Sequence, residues 1–160
     1  ADAQAVWETQ MALWGAVTGH GNLVYHAAGW GEGGLVADFE KLVIDCEMLQ
    51  AMAAMLRPVG FDTADFGFSA HDEVDPGGHF FGTAHTMERY QDAFYAPFLS
   101  DWSNHENWRD AGSKTATTRA MALWPRMLDA YTLPPMDAGR IEEMQAYIAH
   151  RKEQIGSDTP

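Results

Sequence analysis

Only one cysteine, Cys46, occurs in the 160 residues, so no intrachain disulfide can form; its place inside a helical apolar pattern points to core packing in a reducing compartment. Basic residues are scarce as well. Ten of them stand against 23 acidic ones, and the formal net charge of −13 disfavours phosphate backbones and anionic membrane surfaces as partners. Cationic ligands or basic proteins suit that balance better. No uncharged apolar run of membrane-spanning length occurs, and the N-terminus lacks the basic and apolar regions of an export signal. The expectation is a cytoplasmic protein with no membrane and no nucleic-acid partner. Internal repeats and low-complexity segments are also missing.

Several catalytic signatures are absent too. There are seven histidines, but no Cys/His pair at zinc spacing accompanies them, and His79 and His85 lie six positions apart, so no metal site is expected. The glycine-rich segments match neither a P-loop nor a dinucleotide fingerprint. Ser69, beside Ala70 and His71, has no nucleophile-elbow context.

What is present is apolar surface, 46% hydrophobic with 12% aromatic residues, enough for one packed domain. From Asp2 to Thr18, Trp7, Met11, Trp14 and Val17 recur at steps of four, three and three, which predicts a helix capped by Asp2 and closed at "GHG", Gly19–Gly21, by a left-handed glycine. "NLVY", Asn22–Tyr25, is apolar without alternation, as a strand buried on both faces would be. After the turn "GWGEGG", Leu35, Phe39, Leu42, Cys46, Leu49, Ala53 and Leu56 form one stripe on a helix that Pro58 and Gly60 stop. Val36, Val43, Met48, Met52 and Met55 widen it. "GGHFFG", Gly77–Gly82, is a second strand candidate between short helical stretches at 63–73 and 86–94. Helices follow at 106–111, at 114–131 with Pro125 inside, and from Ile141 onward after the stiff "LPPMD". The order helix, strand, glycine turn, helix is the rhythm of an α/β fold.

Four residues stand out chemically. His26 follows the predicted strand, at the carboxyl end where parallel α/β sheets place ligand sites, although a strand-end histidine also serves structure. Trp30 offers an aromatic face to a quaternary ammonium or a cover for the core. Glu32, flanked by glycines, is either a site carboxylate or a solvated loop charge. His79 sits in "DPGGHFFGTAHT", whose glycines let backbone approach a ligand. The aromatic run "YQDAFYAPFLSDW" reads as helix docking.

The segment "NLVYHAAGWGEGGLVADFEKLVIDCEML", with "DAQA" upstream and "PGGHFFGTAHTMERYQDAFYAPFLSDW" and "WRDAGSKTATTRA" downstream, resembles the trimethylamine methyltransferase (MttB) family from Asp2 to about Lys152. The resemblance is to the C-terminal third of the family's chain. It implies the C-terminal portion of a (β/α)8 TIM-type barrel, since a barrel of about 250 residues does not fit this length. That portion would be helix-rich with one or two short parallel strands, near Asn22–His26 and His79–Phe81. Organised as a single domain over 1–160, it would hold the last βα units in 1–94 and C-terminal helices in 105–155.

The implied activity is methyl transfer from a tertiary or quaternary amine, such as trimethylamine or glycine betaine, to a corrinoid protein. No cofactor would be bound directly; the cobalamin would be presented by that partner. By its length against a whole barrel the chain would be a fragment, a split gene product or a separately made domain, and the resemblance puts the family's pyrrolysine position just before Ala1. His26, Trp30, Glu32 and His79 are then expected at the barrel mouth as substrate-binding residues, with the catalytic residue unassigned. The competing expectation is a non-catalytic helical assembly or oligomerisation module derived from the barrel. Exposed sheet edges and helix faces further imply a homo-oligomer, or association with the missing N-terminal barrel portion.

Overall fold

The computed structural model describes residues 1–156 and is helix-rich, with two compact units, Ala1–Met127 and Leu128–Pro160. In the first unit, α1 (Ala3–Thr18) starts where the Asp2 carboxylate accepts the Ala5 N–H. Its end is a Schellman turn: the Gly21 N–H reaches the Ala16 carbonyl at 2.8 Å and the His20 N–H reaches Val17 at 3.1 Å. The left-handed residue is His20 (φ 55°), whereas Gly19 keeps φ −81°. The predicted glycine closure is therefore made one position later, by a histidine, because the 6→1 bond from Gly21 requires the reversal at residue 20.

The strand expectations change more. Asn22–Tyr25 is irregular and largely exposed, as is His79–Phe81. The strands lie inside the glycine turn instead: β1 (Trp30–Gly31) and β2 (Val36–Ala37) pair antiparallel, Trp30 with Ala37 and Gly31 with Val36, around a 3-10 turn at Glu32–Gly34. The expected parallel strands are replaced by one antiparallel hairpin. The reason is in the glycines: positive φ at Gly33 and Gly34 lets the chain reverse within a few residues, and a reversal this tight can only join antiparallel strands.

Helix α2 (Phe39–Met55) begins after the hairpin, with the Asp38 carboxylate accepting the Lys41 N–H at 2.9 Å. Its buried residues are Lys41, Val43, Ile44, Asp45, Glu47, Met48 and Met52. Most of the predicted stripe is turned away from the core: Leu35 is 85% exposed, Phe39 57% and Leu42 40%, whereas Leu49 packs against it. Cys46 is half-buried, and burial followed by the adjacent Asp45 charge pushes its thiol above the ordinary range. The widening residues Val43, Met48 and Met52 are the true core. Helix α1 behaves alike, burying Leu13 and half-burying Val6 while Trp7 and Met11 face solvent.

Two apolar clusters fill the unit, one of Leu13, Met48 and Met52 with Val6, Trp14, Ala27 and Leu49, the other of Val43, Ile44, Leu99 and Ala120 with Leu123 and Trp124. Short helices α3 (Phe68–Asp72), α4 (Ala84–Arg89) and α5 (His105–Asp110) follow, then α6 (Ala116–Asp129), which continues through Pro125. Leu99 is held from two sides: the Glu47 carboxylate accepts its N–H at 2.9 Å, and Arg119 donates to its carbonyl at 2.8 Å. Burial and the nearby Glu47 charge raise the Tyr95 phenol above its ordinary range. In the second unit, α7 (Ala138–Ile155) is capped by Asp137. Among the described residues no helix is long and apolar enough to cross a membrane.

Candidate functional site

The loop between α1 and the hairpin is set by backbone constraints. His26 takes φ 55° and Gly29 φ 78°; a Cβ on Gly29 would meet the Leu42 Cβ at 3.0 Å, so only glycine lets the loop lie this close to α2. Ala27 tucks into the Leu13–Met48–Met52 cluster. His26 and Trp30 are thereby brought face to face, ring centroids 4.5 Å apart and tilted by 39°. Glu32 also has positive φ, 50°, at the hairpin tip. Left-handed conformations in non-glycine residues cost about 1 kcal/mol or more each and concentrate where geometry serves a site.

These residues line one cleft of about 470 Å³ between α1 and the loop. From α1 come Asp2, Glu8 and Thr9 among others; from the loop come Tyr25, His26, Trp30 and Glu32; Lys41 comes from α2. Three carboxylates thus face the space. The one lysine is already neutralised by Asp45, so the field in the cleft favours a cation. The structure brings His26, Trp30 and Glu32 together and leaves His79 out: His79 is exposed, packs on Phe81 at 5.3 Å and does not line this cleft. His85 belongs to a separate hollow with Gly67, Ala70, His71 and Phe80. Among the described residues no group of three or more His, Cys, Asp or Glu side chains is placed to hold a metal ion.

The sequence reading missed the polar floor beneath the loop. Asp45 is fully buried, and its Oδ2 accepts from Lys41 Nζ at 2.5 Å and from the Gly29 N–H at 2.8 Å. Lys41 Nζ also donates to Thr9 Oγ1 at 2.7 Å. The available signal was the opposite-charge pair at i and i+4 inside an otherwise apolar window, "KLVIDCEML". The other Asp45 oxygen, Oδ1, is buried without a partner.

The cleft is framed by a helix and lined with carboxylates and aromatic rings, a lining whose charge and ring faces suit a small organic cation. Residues 1–156 match the family described as Trimethylamine methyltransferase (MTTB), and the chain belongs to that family. It is 32% identical over 98% of its length to the glycine betaine methyltransferase of Desulfitobacterium hafniense (strain Y51), covering 33% of that protein. It is also similar to two proteins named trimethylamine methyltransferase. One is MttB of Desulfitobacterium hafniense (strain DSM 10664 / DCB-2), 24% identical over 97% of this chain and 31% of that protein. The other is MttB2 of Methanosarcina mazei, 25% identical over 92% and 29%. The chain therefore spans about a third of the length of the curated relatives it matches.

Proposed function

We propose that this chain is the C-terminal part of a methyltransferase that takes a methyl group from a quaternary amine, with glycine betaine as the leading substrate. The observation that carries the reading is the meeting of His26, Trp30 and Glu32 on one acidic cleft in a member of a methyltransferase family. The greater identity to the glycine betaine enzyme supports the betaine assignment.

In this reading the Trp30 face and the Glu32 carboxylate hold the ammonium, and His26 hydrogen-bonds the substrate carboxylate. The methyl acceptor is a cobalt(I) corrinoid carried by a separate protein. The N–CH3 bond breaks with its electron pair staying on nitrogen, the amine leaves neutral, and the acceptor supplies the pair for the new bond. The protein need only align the cation and exclude water, so no acid or base is required of this chain. Remaining residues of a TIM-type barrel would close the site from the other side.

The test is a methyl-transfer assay with cob(I)alamin and a panel of amines, run on this chain alone and on the chain joined to its upstream portion. Transfer from glycine betaine in the joined protein only is the expected result. Transfer by the isolated chain, or no transfer from any amine by the joined one, refutes the proposal.

Exposed apolar residues on the hairpin and the start of α2 support a second reading as an assembly module. Leu35, Val36 and Leu42 face solvent beside a small, nearly all-apolar hollow formed with Ala28, Trp30 and Phe39. Either self-association or the upstream portion would cover it. A strictly monomeric chain by light scattering at micromolar concentration, also failing to bind the upstream portion, removes this reading.

A further inference from the structure

Gly29 lies three residues after His26 and directly before Trp30, and the peptide groups on both its sides are pinned to α2. Its N–H donates to Asp45 Oδ2 at 2.8 Å, and its carbonyl accepts the Asp38 N–H at 2.9 Å. The same Asp45 oxygen takes Lys41 Nζ, which reaches on to Thr9 Oγ1 in α1. A single buried carboxylate is thus tied to both walls of the cleft, the loop on one side and α1 on the other. Thr9 and Lys41 line the cleft themselves, while Asp45 does not.

From this geometry we infer that Asp45 is a positioning residue: by accepting the Gly29 N–H it sets the loop so that the His26 and Trp30 rings meet, and Lys41 keeps that carboxylate aimed. A buried acceptor is effective here because the Gly29 N–H has no water to turn to, so the bond it makes fixes the direction of the peptide plane. Gly29 takes its positive φ without a Cβ penalty, and a side chain there would run into Leu42, so the bond to Asp45 acts on a peptide that only glycine can place this close to α2. The inference extends the proposed site only in treating His26 and Trp30 as its working surface.

Two double variants separate positioning from simple stabilisation. Lys41→Met with Asp45→Asn removes the buried charges but keeps an acceptor for the Gly29 N–H. Lys41→Met with Asp45→Leu removes the charges and the acceptor, and apolar replacement of a buried ion pair generally leaves a protein folded. The readout is the indole-induced offset of the His26 imidazole C–H resonances, measured by NMR as the difference from the same chain carrying Trp30→Leu. The offset should persist in the asparagine variant and vanish in the leucine variant, with helical circular dichroism the same in both. Equal offsets in the two, loss in both, or loss of helix in the leucine variant alone would overturn the assignment. The measurement needs no amine, so its failure and the failure of the proposed function are separate events.

Discussion

Replacing Lys41 with methionine tests the buried ion pair most directly. The two side chains are 9% and 0% exposed, so the substitution strands a carboxylate that water does not reach. Breaking a buried pair in this way costs about 3–5 kcal/mol. Because Asp45 keeps the Gly29 N–H, the loss should fall near the lower end of that range. For a chain of this size, about 2–4 °C of melting temperature per kcal/mol gives a drop of roughly 6–12 °C. Asp45→Asn should cost less, since Lys41 borders the cleft and its ammonium has solvent within reach. Urea unfolding followed by circular dichroism and tryptophan fluorescence measures both losses, and high salt should leave them unchanged because a buried pair is little screened. A loss under about 1 kcal/mol for Lys41→Met, the range of a surface pair, would refute the claim that the Asp45 carboxylate is sequestered.

Other expectations follow from single features. Trp30→Leu should weaken binding of a quaternary amine by the joined protein roughly two- to thirtyfold, the range of about 0.5–2 kcal/mol for a cation over an aromatic face; calorimetry showing unchanged affinity would take Trp30 out of the site. Leu35→Glu should change the chain's own stability by no more than about 0.5 kcal/mol, because that side chain is 85% exposed, while reducing its association with the upstream portion in a pull-down of purified parts. Asp38→Ala should cost about 1 kcal/mol through loss of the α2 cap. The Lys41 N–H holds the Asp38 carboxyl below its ordinary range, so its stabilisation is complete above the ordinary aspartate pKa and is lost as pH falls through the lowered one. An Asp38→Ala loss that stays the same from neutral to strongly acidic pH would contradict this.

The start of α1 was legible because it depends on neighbours in sequence, and the same local rule operates at α2 and α7. Asp2, Asp38 and Asp137 each cap a backbone N–H three residues on, a contact that local geometry settles. The site was legible in part. His26, Trp30 and Glu32 converge because a short glycine-containing loop and hairpin cannot carry them far apart, whereas His79 lies more than forty positions beyond and nothing local ties it to them. The strand at Asn22–Tyr25 failed for the opposite reason. An apolar run becomes a strand only when a partner strand supplies hydrogen bonds, and the described residues offer it none.

The same division holds for the core. The amino-acid sequence by itself determined that α1 and α2 form and where α1 starts, since propensity, capping and a 3.6-residue period act within each helix. It also carried the family, through motifs spread along residues 1–156. Which side of each helix is buried was decided only by the tertiary structure. Val43 and Met48 found neighbours in Ala120, Leu99 and Leu13, while Phe39 and Leu42, equally apolar and on the same helix, remain exposed. The pairing of Lys41 and Asp45 beneath Gly29 was likewise a tertiary decision. Their spacing makes the pair possible, but its removal from water depends on α1 and the loop closing over it from distant points in the chain.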